Sequence, residues 1–189
     1  MSACILAASP RKNGNSDFCA SLLRRNGFSG PIVRLADKTI RPCIECGMCE
    51  LHPGKCRWDR DETDEMGAVH AEMFAADLVC VVSPIFFYGL PGQAKIFVDR
   101  AQAWYGMEPA AKPGRDKTLT AVLIAGRKNG DKLFVGAELS LRYMAQALGF
   151  TFHKPLLLRG LESQDALFNS FGSRERVMDF AHEFIDSLR

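Results

Sequence analysis

Cys43, Cys46, Cys49 and Cys56 lie within fourteen positions, "CIECGMCELHPGKC", of a 189-residue chain. Thiols this close hold a metal, pair as disulfides or stay free. Cys-x2-Cys-x2-Cys spacing lets three thiolates wrap a group as wide as an iron-sulfur cubane, each on its own iron, with a fourth cysteine completing the set. Structural zinc normally takes two Cys-x2-Cys pairs a dozen or more residues apart, a separation this segment lacks. His52, within the segment, keeps a site of three cysteines and one histidine open. In the cytosol clustered cysteines are more often metal-binding or catalytic than bridged. The spacing therefore favours a [4Fe-4S] cluster, with free thiols, zinc or disulfides as the alternatives.

Two further stretches can bind a ligand. In "SPRKNGNS", Ser9, Asn13, Asn15 and Ser16 offer polar side chains, Gly14 permits a tight turn, Arg11 adds a cation, and a helix starts near Ser16 or Asp17. This suits a phosphate, which the helix N-terminus favours; a capped helix with a solvated Arg11 is the plainer reading. It is neither a Walker loop nor a dinucleotide-binding glycine turn. In "SPIFFYGLPGQAKIFVDR", Pro84, Ile85, Phe86, Phe87, Tyr88 and Gly89 precede a helix carrying Ala94, Phe97 and Val98. Aromatics beside a turn glycine suit a flat ring, or else the surface of a neighbouring subunit.

The elements that must position these residues follow from hydrophobic pattern. Five apolar runs, 3–8, 31–36, 76–83, 119–125 and 150–158, read as strands. Helical spacing fills the intervals, as in Phe134, Ala137, Leu141, Met144, Ala145 and Leu148, and in the tail Val177, Phe180, Ala181, Phe184, Ile185 and Leu188. Alternating strands and helices mean an α/β fold: a doubly wound, five-stranded parallel sheet in a three-layer α/β/α sandwich, one domain over 1–189. An irregular insert at 37–63 carries the cysteines and should leave the carboxyl end of a strand, the edge where such sheets bind ligands. In strand order 2-1-3-4-5 the two loops flank the switch point, where a flavin mononucleotide fits.

Lys and Arg number 24 against 22 Asp and Glu. That balance leaves no strong field for nucleic acid or an anionic membrane. No apolar run approaches the roughly 20 residues of a spanning helix, and the opening run is too short for a signal peptide, so a cytoplasmic protein is expected. Cys4 and Cys80 lie in apolar runs and read as small core residues. Trp104 and Tyr105 read as interface or core rather than flavin edge.

With these motifs in this order, the chain resembles the NADPH-dependent FMN reductase superfamily of flavodoxin-like fold, most of all its iron-sulfur flavoproteins. The resemblance implies FMN, with its phosphate on 9–16 and its ring on 83–89. It also implies a [4Fe-4S] cluster on the four cysteines, a homodimer or homotetramer with flavin sites near the interface, and no catalytic side chain beyond the flavin contacts. A ferredoxin-like or NAD(P)H donor would pass electrons to a small acceptor such as a quinone, a flavin or an oxidant; a non-enzymatic carrier or redox sensor is the alternative. The chain departs from the family at Asp59, Arg60 and Asp61, where relatives often carry an acidic pair. It departs again at "AGRKNG" (125–130), often Gly-rich, where Arg127 or Lys128 would meet a nucleotide phosphate or water.

Overall fold

A computed structural model describes residues 1–188; Arg189, the last residue of the expected domain, lies outside the described residues. The strands are β1 (Ala3–Ala7), β2 (Ile32–Arg34), β3 (Leu78–Pro84), β4 (Thr118–Ile124), β5 (Thr151–Phe152) and β6 (Leu156–Leu158). They form one parallel sheet in the order β2-β1-β3-β4-β5, with β6 also paired to β4.

Side chains alternate between two cores, as a sheet buried on both faces requires. Cys4, Leu6, Val79, Val81, Leu119 and Leu123 face one; Ile5, Cys80, Val82, Val122 and Ile124 face the other. The helices are α1 (Asn15–Arg25), α2 (Met48–Leu51), α3 (Met66–Ala75), α4 (Gly92–Arg100), α5 (Gln102–Tyr105), α6 (Val135–Leu148), α7 (Ala166–Asn169) and α8 (Phe171–Ser187). α3, α4 and α6 cover the first face through Val69, Met73, Phe97, Leu141 and Met144. α1 and α8 cover the second through Cys19, Leu23, Val177, Ala181 and Phe184. Gly149, at φ +90°, stops α6 in the left-handed conformation that glycine adopts most freely.

Three expectations on the elements are corrected. The single strand over 150–158 is two short strands in one place, parted at His153, Lys154 and Pro155, because proline brings no N–H to the ladder. β2 is three residues long, since Leu35–Asp37 already turn as a 3-10 helix. α3 begins at Met66 rather than near Thr63 or Asp64; Asp64 instead accepts the Met66 N–H at 3.1 Å.

Cys4, Cys19 and Cys80 are fully buried. Burial pushes the Cys4 thiol up to about 12 and the other two well above the ordinary range, so they are protonated packing residues. Among the described residues no helix is long and apolar enough to cross a membrane.

Candidate functional site

β1 and β3 are neighbours in the sheet, so the loops that leave their carboxyl ends stand side by side. In the first loop Ser9 is buried and its Oγ accepts the Arg11 N–H at 3.2 Å. Asn13 takes a left-handed φ of 55° and donates its N–H to Asp17 Oδ2 at 2.6 Å. Asp17 pairs with Arg34, which also holds Asp37, which in turn meets Lys12. This chain of charges props the loop from below. Gly14 and Ser16 are buried at the start of α1, whose first N–H groups have no intrahelical partner, and Arg11 is exposed above them. The loop therefore leads into the free first N–H groups of α1 with a cation at its mouth, which fits a phosphate.

Asn15 does something else. Its Nδ2 donates to Leu161 O at 3.2 Å and Ser163 O at 2.8 Å, and its Oδ1 accepts the Leu167 N–H at 2.9 Å. Gln164 Nε2 reaches back to Asn13 O at 3.2 Å. Residues 161–167 thus clasp the loop, a role nothing in their own spacing announces.

The second loop is a tight turn. Phe86 and Gly89 exchange both backbone hydrogen bonds, at 3.0 and 2.9 Å, with Phe87 and Tyr88 between them at φ 47° and 63°. Two left-handed residues in succession make a type I′ turn, which Asn and Gly usually occupy; bulky aromatics there are strained. Such strain concentrates at ligand sites. Phe87 is fully exposed, and Phe86 and Tyr88 nearly half so. Pro84 closes β3, and Ile85 donates its N–H to Ile124 O at 2.9 Å. A Cβ on Gly136 would lie 2.6 Å from Tyr88 O, so only glycine lets α6 accept the turn.

Tyr88 Oη also accepts Arg127 Nη1 at 2.9 Å. Arg127 O in turn takes the Gly160 N–H at 3.2 Å, and Ala125 O takes that of Leu161 at 3.1 Å. The stem of Lys128 lies against Gly160. The 9–16 loop, the clasp, the 125–130 loop and the aromatic turn are thereby one connected rim.

The cysteines line a separate cavity of about 430 Å³ with Lys55, Arg57, Trp58, Asp99, Arg100, Gln102 and Ala103. Burial pushes the Cys49 thiol up, and the charges of Cys43, Cys46 and Cys56 nearby push the same way. Among the described residues no three His, Cys, Asp or Glu side chains converge tightly enough for a single metal ion. A tetrahedral zinc needs its sulfurs about 2.3 Å from one point, whereas a cubane gives each cysteine its own iron. The thiols, spread around one cavity with cations beside them, fit the wider group. His52 is exposed and does not line the cavity.

The insert is built to hold this shape. Trp58 Nε1 donates to Pro42 O at 3.0 Å, Cys56 N–H to Asp59 at 2.8 Å, and Gly54 N–H to Ala103 O at 2.7 Å. Asp61 takes the Thr63 N–H and hydroxyl and pairs with Arg41 at 3.1 Å. Beneath it Trp104 packs on the core, its ring 4.3 Å from that of His70, while Tyr105 is exposed.

The profile of the family described as NADPH-dependent FMN reductase matches residues 1–151. The chain belongs to this family. An iron-sulfur flavoprotein of Methanocaldococcus jannaschii is 29% identical over 130 residues, 66% of this chain and 62% of that one. Another, of Archaeoglobus fulgidus, is 34% identical over 116 residues, 59% of this chain and 50% of that one. The matches thus span only half to three-fifths of these relatives' length. Among solved structures, a flavone reductase superposes with TM-score 0.72 at 14% identity, covering 99% of this chain and 62% of that one. An FMN-dependent NADH-azoreductase from Bacillus anthracis in complex with FMN superposes with TM-score 0.69 at 13% identity, covering 97% and 99%. These likenesses show the flavodoxin-like fold.

Proposed function

We propose that this member of the FMN reductase family is an FMN-dependent oxidoreductase. It passes electrons from NAD(P)H or a ferredoxin-like donor to a small acceptor such as a quinone, a flavin or an oxidant. The observation that carries the reading is the pair of loops on β1 and β3: an anion cradle beside a strained, exposed aromatic turn. Arg11, Asn13, Gly14, Ser16 and the first N–H groups of α1 would hold the phosphate, with Ser9 and Asn15 shaping the loop. Pro84 through Gly89 would seat the ring. When bound, FMN supplies the chemistry, accepting a hydride or single electrons. The chain orients it and shields one face. A homodimer or homotetramer covering Phe87 is part of the proposal.

The cysteine cavity is read as the seat of a [4Fe-4S] cluster. Its support is the four thiols on one wall-to-wall cavity, with Lys55, Arg57 and Arg100 placed to offset the charge of thiolates. The iron-sulfur flavoprotein relatives point the same way. When present, the cluster supplies single-electron exchange; the cysteines anchor it.

An anaerobic visible spectrum of purified protein, with iron and acid-labile sulfide counted per chain, tests both parts. Flavin bands with about four irons and four sulfides support both. Flavin without iron removes the cluster alone, and colourless protein removes both. Turnover with NADH or NADPH separates a reductase from an electron carrier, which would show none with either nucleotide.

A further inference from the structure

We propose that the Nε–H of Arg100 donates a hydrogen bond to sulfur in the group held by the four cysteines, and that this contact sets the group's reduction potential. The proposal rests on the cluster reading above.

The Arg100 side chain is 2% exposed. Nη1 donates to Arg41 O at 2.9 Å and Asp64 Oδ2 at 2.8 Å, and Nη2 to Asp64 Oδ1 at 3.3 Å. Nε is the exception: it is buried and has no partner among the described residues. Leaving such a donor unsatisfied costs about 1–3 kcal/mol, more on a charged group, and buried polar groups nearly always find an acceptor. Two other buried side-chain atoms lack partners among the described residues, Arg34 Nη2 and His70 Nε2, but neither residue lines the cysteine cavity. Arg100 does, together with all four cysteines.

The guanidinium is a rigid fork. With two nitrogens fixed on Asp64 and Arg41 the guanidinium stays in place, and sulfur reaches the buried Nε by a shift of the cysteine loop on loading. An iron-bound sulfur carries negative charge and grows more negative on reduction. A fixed donor and cation beside it therefore favour the reduced form and raise the potential. Lysine at this position keeps the charge but has no equivalent of Nε–H.

The test is an EPR-monitored anaerobic titration of wild type, Arg100→Lys and Asp64→Asn, with iron and sulfide counted in each. Loss of the donor in Arg100→Lys should lower the reduced-to-oxidised ratio at the wild-type midpoint about tenfold, equal to about 59 mV for one electron. Asp64→Asn loosens the same contact but keeps Nε and removes a negative charge. Its potential should stay or rise, whereas a purely structural Arg100 would make both variants fall alike. A wild-type potential in iron-loaded Arg100→Lys overturns this proposal and leaves the cluster standing. Wild-type protein without iron or sulfide overturns the cluster reading and this proposal with it. If Arg100→Lys does not load, pulsed EPR decides, on reduced Arg57→Gln protein labelled at arginine Nε with ¹⁵N. A ¹⁵N coupling supports the contact, and its absence overturns it.

Discussion

Arg100 and Asp64 form an ion pair with both side chains 2% exposed and Nη1 2.8 Å from Oδ2. Asp64 also accepts the backbone N–H of Arg41 at 2.7 Å, so one carboxylate ties α4, the start of the cysteine insert and its end. Burial pushes this carboxyl up, but the hydrogen bonds from Arg100, Arg41 and Met66 outweigh it and hold the group below the usual carboxylate range. Removing one partner strands a buried charge. Asp64→Ala should destabilise the protein by about 3–5 kcal/mol in chemical denaturation, and the double change with Arg100→Leu should recover much of it. A single variant as stable as wild type would contradict the pairing.

His70 gives a separate acid response. Burial first, then the nearby Arg100 charge, lowers it to about 3, so it is neutral in the fold and protonates near 6.5 once unfolded. The unfolded chain binds the extra proton between these values. Stability should accordingly fall as pH drops from about 6.5 toward 3, by up to about 1.4 kcal/mol per pH unit. His70→Phe, which keeps a ring stacked on Phe74 and edge-on to Trp104, should flatten the curve above about pH 4.5, where carboxylates such as Asp64 do not yet titrate. An unchanged slope between pH 6.5 and 4.5 would contradict this.

Arg11 and Asn15 should separate binding from support. Arg11→Ala removes an exposed cation and should weaken FMN about tenfold or more in equilibrium titration while leaving apoprotein unfolding unchanged. Asn15→Ala removes three hydrogen bonds to 161–167 and should lower apoprotein stability by about 1–3 kcal/mol as well as weakening FMN. Equal apoprotein stability for the two variants would contradict the clasp.

The aromatic turn stores strain that a substitution can release. Phe87 buries nothing within the chain and stands at φ 47°, so Phe87→Gly should raise the stability of the isolated chain by about 1 kcal/mol. It should also weaken FMN, since the ring seat loses its pre-set shape. Lower stability together with unchanged FMN affinity would count against the strain argument.

The sheet was legible because β1, β3 and β4 are short continuous apolar runs, which few elements other than doubly covered strands produce. β5 and β6 were not separable, since Pro155 interrupts a run that remains apolar on both sides. The loop 9–16 was recognisable from its polar residues before a helix. The direction of Asn15 was not, because its partners are 146 to 152 positions away. Left-handed Phe87 and Tyr88 could not be foreseen, as nothing in their side chains favours that backbone. Arg100 had left a readable trace: it falls at the buried spacing of Ala94 and Phe97, where a charge demands a partner.

The two ends of the cysteine insert touch, since Glu65 donates its N–H to Thr39 O at 2.8 Å and its carboxylate accepts the Thr39 N–H at 2.7 Å. A chain passing directly from one to the other would close with a short turn and little added loop entropy. The insert is in that sense a detachable cassette, able to be gained or lost in evolution, or grafted by design, without redrawing the sheet. Arg100 must travel with it: a descendant that discards the insert strands this arginine without its acceptors, so deletion and replacement of that arginine should occur together.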